Sequence, residues 1–451
     1  MARMDTTETI DTTDATTDNA RSTTSRVRFL QQAGLGAAGL ALTGALPAAL
    51  DPGRARAAIT DASGATLNVA YWNQLVNTKA FVAVLNGFAK QSGGTVKYNP
   101  EPVVFGDTVS KFTTYLSSGY TGLDLYYLDE FMTATFSSAG WLEPLEGRIA
   151  QANLSAIGPG PLKLSTYNGH LYRVPGYSGA VVFFYRRDLF DKAGLEPPTT
   201  WNALVSAGKK LTKGGVYGIG FAGKNGNTEL FNESCYWMGQ AGASPLNLKT
   251  PAARSTLKFI YDMLHTYKIM PPNTVTADYT SLQTQFIDGR LAMWPVWAGF
   301  YGQFVSSASF MKKYKVAVAT PPKGPVNNHT LADSWGWSLS KYSKNKEMAY
   351  KFIDYVTSPA AETAISTAEL SLPANLKALG TPAVQHAINY APFVNRYNQQ
   401  GLTSPRPIAA QAQRISDAYE SAVNQYLNNQ LSLDAAIQQA QSKIDQIQQN
   451  A

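Results

Sequence analysis

The chain has 451 residues, more than one compact core usually accommodates, so about two or three domains are expected. Hydrophobic residues make up 44% and charged residues 15% of the chain, a composition that is typical of globular proteins and excludes a wholly disordered one. The net charge is +7, but no block of consecutive lysines and arginines and no zinc or helix-turn-helix motif accompanies it, which argues against nucleic-acid binding.

Residues 1–57 are predicted to form an export signal. A basic, Ser/Thr-rich segment precedes an apolar run at residues 33–50, and residues 55–57 offer a small-residue cleavage site. The apolar run is shorter than the ~20 residues that a membrane-spanning helix needs. Residues 25–30 are similar to a twin-arginine motif in which Val27 replaces the second arginine. We therefore expect export to the periplasm or the cell surface, with the twin-arginine pathway as one candidate route.

The chain after the signal opens with a βαβ pattern. Residues 66–72 alternate apolar side chains with those of the other face, as a half-buried strand does. Apolar residues at helical spacing follow between Phe81 and Phe88, and a second strand is predicted around Val96 and Tyr98. This pattern predicts parallel strands joined by a helix.

A further strand, at residues 123–128, leads directly to Asp129. Because ligands of open α/β sheets bind beyond the carboxyl ends of the strands, Asp129 is a candidate hydrogen-bonding residue. The alternative is that Asp129 only caps the following helix, since Asp is a favoured residue at that position. The sequence leaves both interpretations open.

Residues 167–201 mark the entry into a second α/β layer. An unbroken apolar run at residues 181–185 predicts a strand that is buried on both faces. The short helix that follows is predicted to stop at Gly194, and Thr200 is predicted to cap a helix that begins at Trp201.

The last part of the chain alternates strands and helices. Residues 286–294 predict a helix, a turn and a strand that leads toward Trp297. Residues 333–340 predict another strand, and apolar residues at helical spacing predict two closing helices around residues 415–426 and 433–447.

These segments together resemble the extracellular solute-binding proteins of ABC transporters, in the carbohydrate-binding group that includes maltodextrin- and multiple-sugar-binding proteins. The similar segments are residues 185–190 with the Thr200-Trp201 pair, the helix, turn and strand at residues 286–294, and the strand at residues 333–340. They occur in the family's order, and the resemblance extends over essentially all of the chain after the signal.

The resemblance implies an α/β fold of the periplasmic-binding-protein type, with two lobes, a ligand cleft between them and several crossings of the chain from lobe to lobe. The N-terminal lobe is expected to comprise residues 58–175 and 336–380, and the C-terminal lobe residues 176–335 and 381–451.

The resemblance also implies a monomer that captures a sugar or oligosaccharide by closing its cleft and delivers it to the permease subunits of an ABC importer. Sugar rings stack on aromatic faces, and their hydroxyls exchange water for hydrogen bonds to the protein. The candidate ligand-binding residues are Trp72, Asn73, Asp129, Tyr177, Trp237, Trp297 and Trp335. Packing in the core is the alternative role for each tryptophan.

Two other functions remain open at this point. One is a secreted carbohydrate-active hydrolase, because the sequence alone does not exclude a pair of catalytic carboxylates. The other is a binding protein for a different solute, such as a polyol or glycerol phosphate. The four histidines lack the spacing of metal ligands, and no nucleophile elbow or phosphate-binding loop occurs, so we expect no enzyme, no metal site and no cofactor.

Overall fold

The computed structural model describes residues 10–11, 64–73, 75–102, 105–388, 390–406 and 411–450. The predicted export signal and its cleavage site at Ala57 lie outside these ranges, apart from residues 10–11. Within the ranges, the strands in chain order are β1 Ile10–Asp11, β2 Thr66–Tyr71, β3 Thr95–Pro100, β4 Leu125–Asp129, β5 Thr166–Tyr167, β6 His170–Leu171, β7 Val174–Arg186, β8 Tyr217–Ile219, β9 Leu291–Trp297, β10 Val316–Ala319, β11 Thr330–Leu339 and β12 Thr403–Pro405.

Helices cover both faces and the ends of the sheet. They are α1 Thr78–Ser92, α2 Phe105–Ser117, α3 Glu130–Ser138, α4 Gln151–Leu154, α5 Pro159–Lys163, α6 Arg187–Ala193, α7 Trp201–Leu211, α8 Glu229–Gln240, α9 Pro251–His265, the 3-10 helix Thr274–Thr276, α10 Tyr279–Ile287, α11 Phe300–Ser306, α12 Ala308–Lys313, α13 Lys346–Val356, α14 Pro359–Glu369, α15 Leu376–Leu379, α16 Pro382–Ala387, α17 Ala391–Gln399, α18 Ala412–Leu427 and α19 Leu433–Gln449.

The helix ends follow the capping signals of the sequence. The side chain of Thr200 accepts a hydrogen bond from the backbone N–H of Ala203 at 3.1 Å, and α7 begins at the next residue. Gly194 ends α6 in the left-handed conformation with φ 60°. Both predicted helix ends are therefore confirmed.

The strands form one path in the order β1, β10, β7, β11, β4, β2, β3. Strand β2 pairs in parallel with both β3 and β4, as the βαβ pattern predicts, and this parallel group forms one side of the molecule. On the other side, β9 pairs in parallel with β8 and antiparallel with β7. The predicted two-lobed α/β fold is confirmed.

The long strand β7 connects the two sides. Its first half, Val174 to Ala180, pairs with β11, whereas its second half, Val181 to Arg186, pairs with β9 and β10. The chain therefore passes from one lobe toward the other along β7 and along its partner β11. The exact lobe boundaries given above stay a prediction.

The apolar run in β7 is buried on both faces. Val182 and Phe184 belong to one hydrophobic cluster, whereas Val181, Phe183 and Tyr185 belong to another. Because successive side chains of a strand point to opposite faces, an apolar run without alternation is what two covered faces require.

The strands β7 and β11 approach each other closely at Gly336. The register of the pair shifts between Trp335 and Gly336. A Cβ atom on Gly336 would lie 2.7 Å from the Cα of Pro175 and would also clash with the carbonyl oxygen of Val174. Only glycine therefore fits at this irregularity between the lobes.

Candidate functional site

A cavity of about 240 Å³ lies where the carboxyl ends of β2, β3 and β4 face the other lobe. Trp72 and Asn73 follow β2, Glu101 follows β3, and Asp129 ends β4. The facing wall is formed by residues of α8, α10, α11 and the end of β9, and the floor by residues of β7 and β11. This is the position in which open α/β sheets bind ligands.

Aromatic side chains line the cavity from several elements: Trp72, Tyr177, Tyr279, Trp297, Phe300 and Trp335. Trp72 contacts two of the others edge to face, with ring centroids 5.6 Å from Trp335 and 5.5 Å from Tyr177. These three rings support one another on one side of the cavity. Flat, partly buried rings of this kind can pack against the C–H faces of a sugar or polyol.

Trp297 stands apart from that group of rings, at the end of β9. It pairs with Val181 in the sheet, and its ring centroid lies 5.6 Å from the guanidinium carbon of Arg406. The ring is only partly buried, in contrast to Trp294 of the same strand, which is buried. The strand thus presents one tryptophan to the core and one to the cavity.

Asp129 makes the contacts of a helix cap and of an ion pair together. Its Oδ1 accepts a hydrogen bond from the backbone N–H of Met132 at 2.7 Å, and its Oδ2 accepts one from Arg406 Nη2 at 2.8 Å. The residue also lines the cavity, although only 1% of its surface is exposed. The capping interpretation is therefore realised, and any contact with a ligand would be additional to it.

Arg406 is the lining residue that joins most of the others. Its Nε donates to Glu130 Oε1 at 2.9 Å, its Nη2 donates to the same oxygen at 2.7 Å, and its Nη1 donates to Asn232 Oδ1 at 3.1 Å. Burial alone would lower its pKa, but Glu130 and Asp129 outweigh burial and raise the pKa of Arg406. The guanidinium is therefore permanently charged and fixed in place.

Glu101 and Asp333 are buried residues that line the cavity, and each has one carboxyl oxygen without a hydrogen-bond partner. Glu101 is 5% exposed and Asp333 is 6% exposed. Glu101 Oε1 and Asp333 Oδ1 have no hydrogen-bond partner. Burial raises the pKa of both groups well above the ordinary range, and nearby carboxylates add to the effect: Asp129 for Glu101, and Glu130 for Asp333.

Glu229 and Glu369 also line the cavity, but backbone N–H groups donate to one oxygen of Glu229 and to both oxygens of Glu369. Tyr279 donates its backbone N–H to Glu229 at 2.5 Å, and Val76 donates to Glu369 at 2.7 Å. Burial raises the pKa of Glu229 to about 8 and that of Glu369 to about 7, although these hydrogen bonds oppose the shift.

The structure brings six of the seven predicted ligand-binding residues together around one cavity: Trp72, Asn73, Asp129, Tyr177, Trp297 and Trp335. Trp237 is the exception. Its side chain is 0% exposed and packs against Trp201, Tyr236 and Phe259 in the core of the second lobe. We therefore correct the prediction and remove Trp237 from the candidate site, because helix α8 buries that face against its own lobe.

Several lining residues were missed at the sequence level. Glu101 follows β3 directly, so the rule that selected Asp129 at the end of β4 could also have selected Glu101. Arg406 carries no such signal, because β12 has only three residues and no strand pattern in the sequence predicts it, and because Arg406 meets Asp129 across 277 residues of sequence.

The described residues contain no group of three or more His, Cys, Asp and Glu side chains that could hold a metal ion. In the same part of the chain, no helix combines the length and the apolar character needed to cross a membrane.

Comparisons with known proteins agree with this geometry. The model of the family described as bacterial extracellular solute-binding protein matches residues 66–363. A binding protein of Brucella abortus (strain 2308) is 26% identical over 382 residues, which cover 81% of this chain and 89% of that protein. The mannitol-binding protein of Pseudomonas aeruginosa is 28% identical over 265 residues, 55% of this chain and 59% of that protein. The maltose-bound structure of T. maritima MalE3 has the same fold, with a TM-score of 0.77 at 23% sequence identity. The superposition covers 85% of this chain and 99% of the MalE3 chain.

Proposed function

The chain belongs to the bacterial extracellular solute-binding proteins, and on this basis we propose that it captures a sugar or polyol between its two lobes for delivery to an ABC importer. The observation that supports this proposal best is the cavity itself, in which aromatic rings and carboxyl groups from both lobes converge. The mannitol-binding relative and the maltose-bound neighbour support a polyhydroxylated ligand.

The size of the cavity favours a small ligand. Its volume of about 240 Å³ lies slightly below the range of roughly 300–1,000 Å³ that is usual for small-molecule sites. We infer that a monosaccharide, a linear polyol or a disaccharide is bound in preference to a long oligosaccharide.

The charges of the lining argue against glycerol phosphate. A phosphate needs free donors, and Arg406 is the one cationic side chain that lines the cavity among the described residues. Its donors already serve Asp129, Glu130 and Asn232, so little capacity is left for an anion.

Cleft closure links binding to conformational change. Trp72 lies on one lobe and Trp297 on the other, so a ligand that contacts both stabilises the closed arrangement over the open one. Hydroxyl groups of the ligand would donate to the carboxyl oxygens of Glu101 and Asp333 and so satisfy acceptors that lack partners in the protein.

We further propose that the protein is not an enzyme, that it is exported with cleavage near Ala57, and that it acts as a monomer with the permease as its partner. The twin-arginine pathway remains the candidate route. N-terminal sequencing of the exported protein tests the cleavage site, and a secreted hydrolase is tested by recovering the bound ligand and checking that it is chemically unchanged.

The main experiment is a thermal-shift screen of the purified protein against monosaccharides, disaccharides and polyols, followed by calorimetric titration of the hits. A ligand at 100 times its Kd should raise the free energy of unfolding by about 2.7 kcal/mol. The proposal fails if no member of the panel shifts the melting temperature while the apo protein unfolds cooperatively.

A further inference from the structure

We propose that the ligand carries a basic amine, so that the site recognises an amino sugar or an amino polyol in preference to its neutral counterpart. This inference rests on the proposed function, because it names the chemical class of solute within the same cavity.

The cavity has a large excess of acidic side chains for a protein whose net charge is +7. Among the described residues, one cationic side chain lines it, that of Arg406. The acidic lining residues are Glu101, Asp129, Glu229, Asp333 and Glu369. Carboxyl oxygens can accept hydrogen bonds from the hydroxyls of a neutral solute, but a neutral solute leaves the negative charge of such an excess unbalanced, and like charges in a dry cavity repel one another.

Three of the five lining acids have partners within the protein. Asp129 pairs with Arg406, which also pairs with the neighbouring Glu130, and Arg173 Nη1 lies 4.0 Å from Glu130 Oε2. Backbone N–H groups serve Glu229 and Glu369, as described above.

Glu101 and Asp333 are the two that remain. Each is more than nine-tenths buried, each lines the cavity, and each has a side-chain oxygen without a partner. Glu101 lies beyond β3, whereas Asp333 lies on β11 between the lobes, so they belong to different elements around the same space.

The charged groups around these two acids do not neutralise them. Asp129 and Lys111 act in opposite directions on Glu101, and burial outweighs both. Asp333 is influenced by Glu130 and Asp129 on one side and by Arg406 and Arg173 on the other, with burial again dominant. Burial raises the pKa of both acids and so favours their protonated forms in the empty site, and a ligand ammonium group would favour the charged forms instead.

An ammonium group fits this environment better than a hydroxyl group. It presents three donors and a positive charge, so it can donate to a free carboxyl oxygen and balance the charge of that carboxylate in one step. The rings of Trp72, Trp297 and Trp335 provide aromatic faces for the ligand body, and such faces also attract cations.

The test compares matched ligand pairs on the wild-type protein by calorimetric titration at pH 7.5. The pairs are D-glucosamine with D-glucose, D-galactosamine with D-galactose, and 1-amino-1-deoxy-D-sorbitol with D-sorbitol. We expect the amine of at least one pair to bind at least tenfold more tightly than its neutral partner. We also expect its binding to release protons, seen as a buffer-dependent heat.

Variants then assign the preference to the two acids. Glu101→Gln and Asp333→Asn keep the side-chain shape, and the one whose carboxyl group contacts the ammonium should reduce the amine preference at least tenfold; an unchanged preference in both variants would overturn the assignment. Glu362→Gln is the matched control, because Glu362 is also buried with an unpartnered oxygen but does not line the cavity, and it should keep the wild-type preference.

The outcomes separate this inference from the proposed function. If neutral sugars or polyols bind as tightly as their amines in every pair that binds, the amine inference is wrong and the proposed function stands. If no member of the pairs or of the wider panel binds, the proposed function fails and the inference fails with it. Because the ligand pairs are compared on wild-type protein, a variant that does not fold leaves this decision intact.

Discussion

Replacing Asp129 with alanine should destabilise the apo protein, because this carboxylate is both a helix cap and half of an ion pair. The substitution removes the acceptor for the backbone N–H of Met132 at the start of α3. Losing such a cap costs about 1 kcal/mol. It also removes the hydrogen bond from Arg406 Nη2, and a bond to a charged group is worth about 1.5 to 3 kcal/mol.

The expected loss in the free energy of unfolding is therefore about 2.5 to 4 kcal/mol. Arg406 keeps its two bonds to Glu130 and the bond to Asn232, so the guanidinium is not left unpaired and the larger penalty of an isolated buried charge does not apply. Burial of the Asp129 carboxylate is itself unfavourable, as its raised pKa indicates. Because the alanine variant no longer buries this charge, the loss in the free energy of unfolding should lie in the lower part of this range.

The assay is urea-induced unfolding of the apo protein, with Asp129→Asn as the matched control. The asparagine side chain keeps an oxygen that can accept from Met132, but it loses the charge that pairs with Arg406. Asp129→Asn should therefore be about 1 kcal/mol more stable than Asp129→Ala. An alanine variant with the unfolding midpoint of the wild type and weakened ligand binding would refute the reasoning and assign Asp129 to the ligand alone.

Four further predictions follow from burial and geometry. Trp297→Ala should weaken ligand binding by roughly 1 to 3 kcal/mol in a calorimetric titration with little change in apo melting, and a large drop in apo melting would contradict its place in the site. Trp237→Ala should instead lower the free energy of unfolding by about 3 to 5 kcal/mol, measured by denaturation, and should leave the affinity of the folded fraction unchanged. Glu229 and Glu369 have pKa values of about 8 and about 7 in the folded protein, against an ordinary value of 4.5. Between about pH 5 and pH 8 the folded protein therefore binds protons that the unfolded chain has lost, and the apo melting temperature should fall as the pH rises through this range. A rise in the melting temperature would contradict this. Gly336→Ala should lower the melting temperature by a clash with the backbone of β7, and an unchanged melting temperature would show that the strands can separate there.

The parts of the fold that were predicted correctly depend on local patterns. The apolar run at residues 181–185 predicts two covered faces, and the alternate assignment of Val182 and Val181 to different clusters confirms it. Likewise, Thr200 was recognised as a cap because its neighbours in sequence supply the hydrogen-bond donor. Such features involve residues that are close in the chain, so one sequence contains the information needed.

The candidate site was predictable only in part, because its residues differ in how far their partners lie along the chain. Position at the end of a strand selects Trp72 and Asp129, which the structure brings to one cavity. Trp237, which lies within a helix and was proposed as an aromatic residue of the second lobe, lies away from the cavity, since residue type cannot distinguish a tryptophan that faces the core from one that faces a cleft. In α8 nearly every side chain is buried, so the helix offers no polar face from which its orientation could be read.

The electrostatics of the cavity could not be anticipated at all, because they arise from contacts between distant strands. Glu130 Oε2 accepts the backbone N–H of Ser334 on β11 at 3.0 Å, while Oε1 binds Arg406 beyond β12. Arg173, just before β7, donates to Ser334 Oγ at 3.2 Å and lies within ion-pair distance of Glu130. The Glu130 carboxylate thus contacts β11, Arg173 before β7 and Arg406 after β12. Arg406 in turn lines the cavity. These contacts join the cavity to the strands that run between the lobes, so a ligand that changes the charge of the cavity also changes the electrostatic environment of β7 and β11.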